Sequence, residues 1–160
     1  RSTKSFNLAG LQASFATFPR AEERKEFDDI LGRMDVKRNN TFSLVAFEAA
    51  YNKCEDWLEE LIAHLDGNMQ YVVDFINERI PEIKTVKPEG TYLMWLDFNG
   101  IGIPQDKIQE FLINEAKVAM NDGGTFGEKG KGFARMNVAC PRYMVEEAME
   151  KIEKAVKNIK

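Results

Sequence analysis

Thr91-Tyr92-Leu93-Met94-Trp95-Leu96-Asp97-Phe98 decides how the second half of this chain is read. Aromatic and aliphatic side chains crowd these eight positions, which predicts a central β-strand. Just before it, Pro88-Glu89-Gly90 reads as a turn, since Pro fixes φ and Gly tolerates the reversal. Ile83 to Val86 then reads as a short neighbouring strand. A second strand is expected at Phe133 to Ala139, with Ala134, Met136 and Val138 on one face and Phe133, Arg135, Asn137 and Ala139 on the other. Between the two, Pro104 opens a helix whose face is Ile108, Phe111, Leu112 and Ala116. Val118 to Met120 reads as a brief strand, and the glycine-rich run Asp122 to Gly132 as mobile. A last helix begins near Pro141 and buries Met144 or Val145, Ala148, Met149, Ile152 and Val156. Its pairs Glu147/Lys151, Glu150/Lys154 and Glu153/Lys157 have the i,i+4 order of a surface helix. Residues 81–160 are therefore expected to form an α+β lobe, a small and mostly antiparallel sheet with helices on one face.

Toward the N-terminus the period changes to 3.6. Leu58, Leu61, Ile62, Leu65, Met69, Val72, Val73 and Ile76 recur through a helix expected over Glu55 to Ile80 and ended by Pro81; Gly67 inside it costs ~1 kcal/mol relative to Ala and permits a bend. Ser43 reads as the N-cap of a preceding helix through Ala46, Phe47 and Ala50. Pro19 to Met34 reads as another helix, with Glu22 and Glu23 at its positive end and Phe27, Ile30, Leu31 and Met34 on its apolar face. Leu11 to Phe18 alternates loosely and stops at Pro19, which predicts a strand. Such a strand without neighbours is an exposed edge, so these residues are expected to be disordered or paired with another copy.

Composition narrows the function classes. A 160-residue chain with 30% charged residues fits a soluble globular protein of one domain, or one small domain and part of another. A net charge of −4 gives no general affinity for nucleic acid. No apolar run reaches the ~20 residues that span a bilayer, and no leader peptide is expected. The chain lacks an initiating Met and is read as a fragment beginning in mid-domain. Cys54 and Cys140 form no CxxC pair and are read as reduced structural thiols of a cytosolic protein. His64, the single histidine, sits in a helical pattern with no nucleophile elbow to serve, and no zinc-ligand spacing occurs.

Two residues carry candidate chemistry. Arg135 lies in mid-strand between apolar residues and requires an anionic partner. The bland reading is a salt bridge to a local carboxylate or an exposed sheet face; the functional one is a clamp on a substrate carboxylate, for which the planar guanidinium fork is well matched, and Asn137 shares its face and can help orient it. Gly123 to Gly132 is no phosphate loop, because Lys131 is followed by Gly132 and the run enters a strand instead of a helix. Lys4, in Thr3-Lys4-Ser5-Phe6-Asn7-Leu8-Ala9-Gly10, precedes the apolar run from Leu11; a lysine there can condense with an aldehyde cofactor, although its position alone reads as a frayed terminus.

Three stretches together resemble the pyridoxal-phosphate enzymes of fold type I: Lys4–Gly10, Pro88–Asp97, and Phe126–Gly127 through Gly132–Arg142. Within the class I/II aminotransferase superfamily they are most similar to the MalY/PatB-type cystathionine β-lyases (carbon–sulfur β-lyases). The resemblance implies the C-terminal portion of such an enzyme, with residues 1–42 a remnant of the large cofactor-binding domain, 43–80 connecting helices, and 81–160 the small domain. It implies that Lys4 holds pyridoxal 5'-phosphate and moves the substrate's Cα proton, and that Arg135 clamps the α-carboxylate. Gln12 stands where many relatives have a cationic phosphate ligand, and can donate a hydrogen bond but no charge. Arg1 stands where a serine is frequent, and Asp122 where proline is expected. The resemblance further implies an amino-acid substrate, a cytoplasmic homodimer, no nucleic-acid or membrane partner and no metal. Lyase and aminotransferase share these residues, so both remain open. Further cofactor contacts lie upstream of the lysine in the family, so the 160 residues alone are expected to be inactive. The competing readings are an α+β module that binds a carboxylate through Arg135, and an interaction domain using the Glu55–Ile80 helix.

Overall fold

The computed structural model describes residues 2–36 and 39–159. In chain order its elements are α1 (Ser2–Ser5), α2 (Ala21–Arg33), α3 (Thr41–Lys53), α4 (Glu55–Arg79), β1 (Lys84–Thr85), β2 (Leu93–Asp97), α5 (Ile108–Asn114), β3 (Asn121–Asp122), β4 (Phe133–Asn137) and α6 (Arg142–Lys157), with short 3-10 turns between them. The described residues fall into two compact units, one ending at Leu61 and the other starting at Ile62, so the boundary lies within α4.

The second unit is α+β, as its pattern predicts. Its four-stranded sheet has the order β1-β2-β4-β3, antiparallel throughout. Strand alternation sends Met94 and Leu96 of β2, and Ala134 and Met136 of β4, into one core. There they meet Val72 and Ile76 of α4, Leu112 of α5, and Val145, Met149 and Ile152 of α6. Fully burying each such aliphatic side chain stabilises the fold by ~1.5–3 kcal/mol before entropy is set against it. The other face of the central strands carries Leu93, Trp95 and Asp97 opposite Asn137, Arg135 and Phe133.

Asn68, on the core side of α4, is fully buried. Its Nδ2 donates to the carbonyl oxygens of Val138 (2.9 Å) and Cys140 (3.0 Å), two groups just past β4 that no ladder satisfies. His64, one turn earlier and exposed, places Nε2 2.9 Å from the same Cys140 oxygen. Helix α4 runs unbroken through Gly67, where a Cβ would lie 3.0 Å from Nη2 of Arg142; the missing side chain leaves that guanidinium room to lie over the Tyr71 ring.

In the first unit, α2 buries no residue and α3 buries only Ser43 and Ala50. Phe27, Ile30 and Met34 of the face expected over Pro19–Met34 are exposed, whereas on α3 Ala50 is buried and Phe47 packs against Phe15 and Tyr51. Phe6 packs edge-on against Tyr51 (5.2 Å between ring centroids) and stacks on Trp57 (6.3 Å), which ties the chain after α1 to α3 and the start of α4.

Five local expectations change. Leu11–Phe18 is no strand: Leu11 closes a 3-10 turn, Gln12 adopts a left-handed conformation, and residues 13–18 enter no regular element. A strand needs a ladder partner, and every paired strand of the described residues lies at or beyond Lys84. Asn40, not Ser43, caps α3: its Oδ1 accepts the Phe42 N–H at 2.9 Å, while the buried Ser43 hydroxyl donates to the Asn40 carbonyl. The brief strand expected at Val118–Met120 forms instead at Asn121–Asp122, where β4 offers free backbone partners. The run from Asp122 to Gly132 is not loose; Asp122 Oδ1 caps the Gly124 N–H at 3.0 Å and the backbones of Gly123 and Gly130 touch. Glu153 is not a surface residue, being 6% exposed and gripped by Arg79.

Candidate active site

Strand β4 positions the site. Arg135 pairs across the sheet with Trp95 of β2 on one side and Asn121 of β3 on the other, so all three side chains rise from the face opposite the core. The Asn121 Oδ1 accepts a hydrogen bond from Arg135 Nη2 at 3.1 Å. The guanidinium carbon lies 4.4 Å from the centre of the Phe126 ring, a cation–π contact. Phe126 in turn meets Trp95 edge-on at 5.4 Å, and Trp95 meets Phe133 at 6.3 Å. The cation therefore rests on an aromatic shelf.

Three readings were open for Arg135: a local carboxylate, an exposed sheet face, or a clamp for a substrate carboxylate; the residue is half-buried. Among the described residues no carboxylate pairs with it, and its Nε is shielded from solvent with no acceptor. A buried N–H without an acceptor is costly, ~1–3 kcal/mol, and is uncommon in folded proteins. A guanidinium held by an amide oxygen and a ring, neither of them charged, keeps its positive charge available to an anion. A cleft of about 390 Å³ opens beside it, lined by Met120, Asn121, Arg135, Asn137, Cys140 and Met144 among others.

Asn137 shares the Arg135 face two residues on, and its Oδ1 accepts the Ala139 N–H at 2.9 Å, fixing the side chain at the strand's exit. Cys140 lines the cleft, and burial pushes its thiol above the ordinary range, so it is a poor nucleophile at neutral pH. Lys4 and Gln12 belong to the first unit, Arg135 and Asn137 to the second. The Lys4 side chain is exposed on the single turn of α1, and no carboxylate of a described residue pairs with it. Gln12 is exposed at φ 53°, its backbone N–H closing the turn onto Ala9. Sequence reasoning missed Asn121 and Phe126. The available signal was an asparagine just before the glycine run and a lone aromatic within it, both at positions read as loop.

No family model matches the chain. Its sequence is 35% identical over 154 residues to the cystathionine β-lyase PatB of Bacillus subtilis strain 168, covering 96% of this chain and 40% of that protein. It is 33% identical over 159 residues to protein MalY of Escherichia coli strain K12, covering 99% of this chain and 41% of MalY. The chain is thus similar to one portion of the MalY/PatB-type proteins. The chain also superposes on cystalysin of Treponema denticola, a structure that contains pyridoxal 5'-phosphate, with a TM-score of 0.91 at 33% identity, over 99% of this chain and 40% of cystalysin. A pyridoxal-phosphate-bound protein of Clostridium difficile 630 gives a TM-score of 0.93 at 46% identity, over 97% of this chain and 40% of that one. The chain thus spans about 40% of the length of the relatives it matches.

Proposed function

We propose that this chain is part of a pyridoxal-phosphate-dependent carbon–sulfur β-lyase or aminotransferase that acts on amino acids. One observation carries the reading: the Arg135 guanidinium is presented on a neutral shelf, with no carboxylate among the described residues to neutralise it. An amino-acid α-carboxylate is the planar anion that suits it. The relatives support the same substrate class, since PatB is a cystathionine β-lyase and the matches extend to an aspartate aminotransferase of Pyrococcus horikoshii.

The residues present fit the cofactor. The exposed amine of Lys4 can condense with an aldehyde, and the Gln12 side chain can donate a hydrogen bond to a phosphate without adding charge. When bound, pyridoxal phosphate supplies an electron sink for the charge left at Cα. Lys4 takes the Cα proton. Arg135 holds the α-carboxylate and so fixes the angle of the Cα–H bond, with Asn137 supporting that edge. Both reaction outcomes use these residues.

In the same proposal, residues 1–42 belong to a large cofactor domain, 43–80 are connecting helices, and 81–160 are the small domain. The exposed Phe27, Ile30, Met34 and Phe42 suit burial against further chain. The intact protein is taken to be a cytoplasmic homodimer; no described helix is long and apolar enough to cross a membrane.

The test uses the full-length protein with pyridoxal phosphate, reduced with borohydride and mapped by mass spectrometry. The modified peptide is expected to carry the label on Lys4. Labelling elsewhere, or none in a folded protein, overturns the reading. Hydrogen sulfide or pyruvate release from L-cysteine then separates a lyase from an aminotransferase.

A further inference from the structure

The glycine-rich segment between β3 and β4 lies folded against Arg135, and its shape explains which atoms of the guanidinium remain free. Its ends are pinned. A Cβ on Gly123 would sit 2.2 Å from the Gly130 carbonyl oxygen and 2.6 Å from that of Phe133; a Cβ on Gly130 would sit 2.1 Å from the Gly123 oxygen. Backbone meets backbone at this crossing. Inside the loop, Asp122 Oδ1 caps the Gly124 N–H and the Thr125 hydroxyl donates to the Asp122 carbonyl at 2.7 Å. Asn121 stands just before the crossing and Phe126 at its far bend, and both end on Arg135.

We propose that Asn121 and Phe126 are positioning residues for Arg135, and that together they leave only the Nη1/Nη2 end of the guanidinium to meet an α-carboxylate. Nε is sealed from solvent, which closes the Nε/Nη2 edge. Asn121 Oδ1 occupies one Nη2 proton, and the Phe126 ring covers one flat side. The fork is thus held in one orientation before any ligand arrives, which lowers the cost of binding. The inference deepens the enzyme reading and rests on it for the identity of the anion.

The experiment compares full-length wild type with Phe126→Leu, Phe126→Trp and Asn121→Ala, using L-cysteine and L-cysteinamide as substrates. Phe126→Leu keeps apolar bulk and loses the ring's negative face; Phe126→Trp keeps it. Phe126→Leu and Asn121→Ala are expected to raise KM for L-cysteine by about tenfold, with kcat within about threefold, and Phe126→Trp to stay within about threefold of wild type. L-Cysteinamide has no carboxylate, so its KM should move less than about twofold in every variant. An unchanged KM for L-cysteine in the Leu and Ala variants, or an equal loss on the amide, overturns the proposal. A second readout needs no turnover: acetate titration of 15N-labelled full-length protein, following the Arg135 Nε–H signal, identified by its loss in Arg135→Lys. Saturable movement in wild type, weakened about tenfold in Phe126→Leu, supports the positioning role; no saturable movement, or identical curves, overturns it. If wild type fails to turn over the amino acid, the enzyme reading falls and the acetate titration alone decides the positioning claim.

Discussion

Arg79 at the end of α4 grips Glu153 of α6 with two guanidinium nitrogens, Nε to Oε1 at 3.0 Å and Nη2 to Oε2 at 2.5 Å. The Arg79 guanidinium also lies 4.4 Å from the Phe75 ring centre, and Lys157 Nζ donates to Glu153 Oε1 at 2.6 Å. The hydrogen bond from Lys157, then that from Arg79 and the two positive charges, hold the Glu153 carboxyl below the ordinary carboxylate range against the opposing effect of its burial.

The sign of the pH dependence follows. A carboxyl whose folded pKa is depressed contributes stability that is fully present above its unfolded value, about 4.3, and is lost as pH falls through the folded value. Urea unfolding of wild type is expected to show a decline below about pH 4.5 that Glu153→Gln lacks in part. At pH 7 the Gln variant should be less stable by about 1–3 kcal/mol, and the gap should narrow in acid. Parallel curves at every pH would remove Glu153 from the account.

Asn68 spends both amide protons on carbonyl oxygens that have no other donor in the sheet. Asn68→Ala is expected to cost about 1–3 kcal/mol in urea unfolding, because the buried Val138 oxygen loses its donor and the Cys140 oxygen keeps only its contact with His64. Asn68→Asp should cost more at pH 7 than at pH 4, since a carboxylate would face those two oxygens and can relieve the repulsion only by taking up a proton. An Asp variant equally stable at both pH values would contradict this.

Cys140 offers a third check. Burial raises its thiol, so at pH 8 it should alkylate with iodoacetamide about tenfold more slowly in the native chain than in urea, and the midpoint of its pH–rate profile should lie above that of the unfolded chain. A native rate equal to the denatured one would show that the thiol is not shielded.

What was legible in the sequence follows from where the energy is local. The helices at Ala21–Arg33, Glu55–Arg79 and Arg142–Lys157 carry their apolar stripe at helical spacing, and β2 and β4 alternate against one core, so period alone finds them. Leu11–Phe18 has strand-like residues, but a strand is a relation between two segments, and sequence period is blind to the missing partner. Ser43 and Asn40 are equally good cap residues by type, and only the geometry of the turn selects Asn40. The glycine run was misread because glycine permits two opposite things, freedom in a loop and close approach of two backbones. At the candidate site Arg135 was visible as a charge in an apolar strand. Asn121 and Phe126 were not, because their role depends on a loop that folds back 14 residues from Asn121 to Arg135.

That close approach supplies the last prediction. Alanine at Gly123 would drive its Cβ into the Gly130 oxygen at 2.2 Å and the Phe133 oxygen at 2.6 Å, and neither is a side-chain tip that can swing away. Gly123→Ala should therefore destabilise the second unit by about 2 kcal/mol or more, as forced backbone shifts do elsewhere. Gly90 is the control: a Cβ there meets nothing within 4 Å, so Gly90→Ala should be neutral or stabilising by about 0.5 kcal/mol through the unfolded chain. Because the crossing holds Asn121 and Phe126 against Arg135, Gly123→Ala should also weaken acetate binding at Arg135, and Gly90→Ala should leave it unchanged. Equal stability of the two variants would mean that the segment yields, and that its glycines serve flexibility after all.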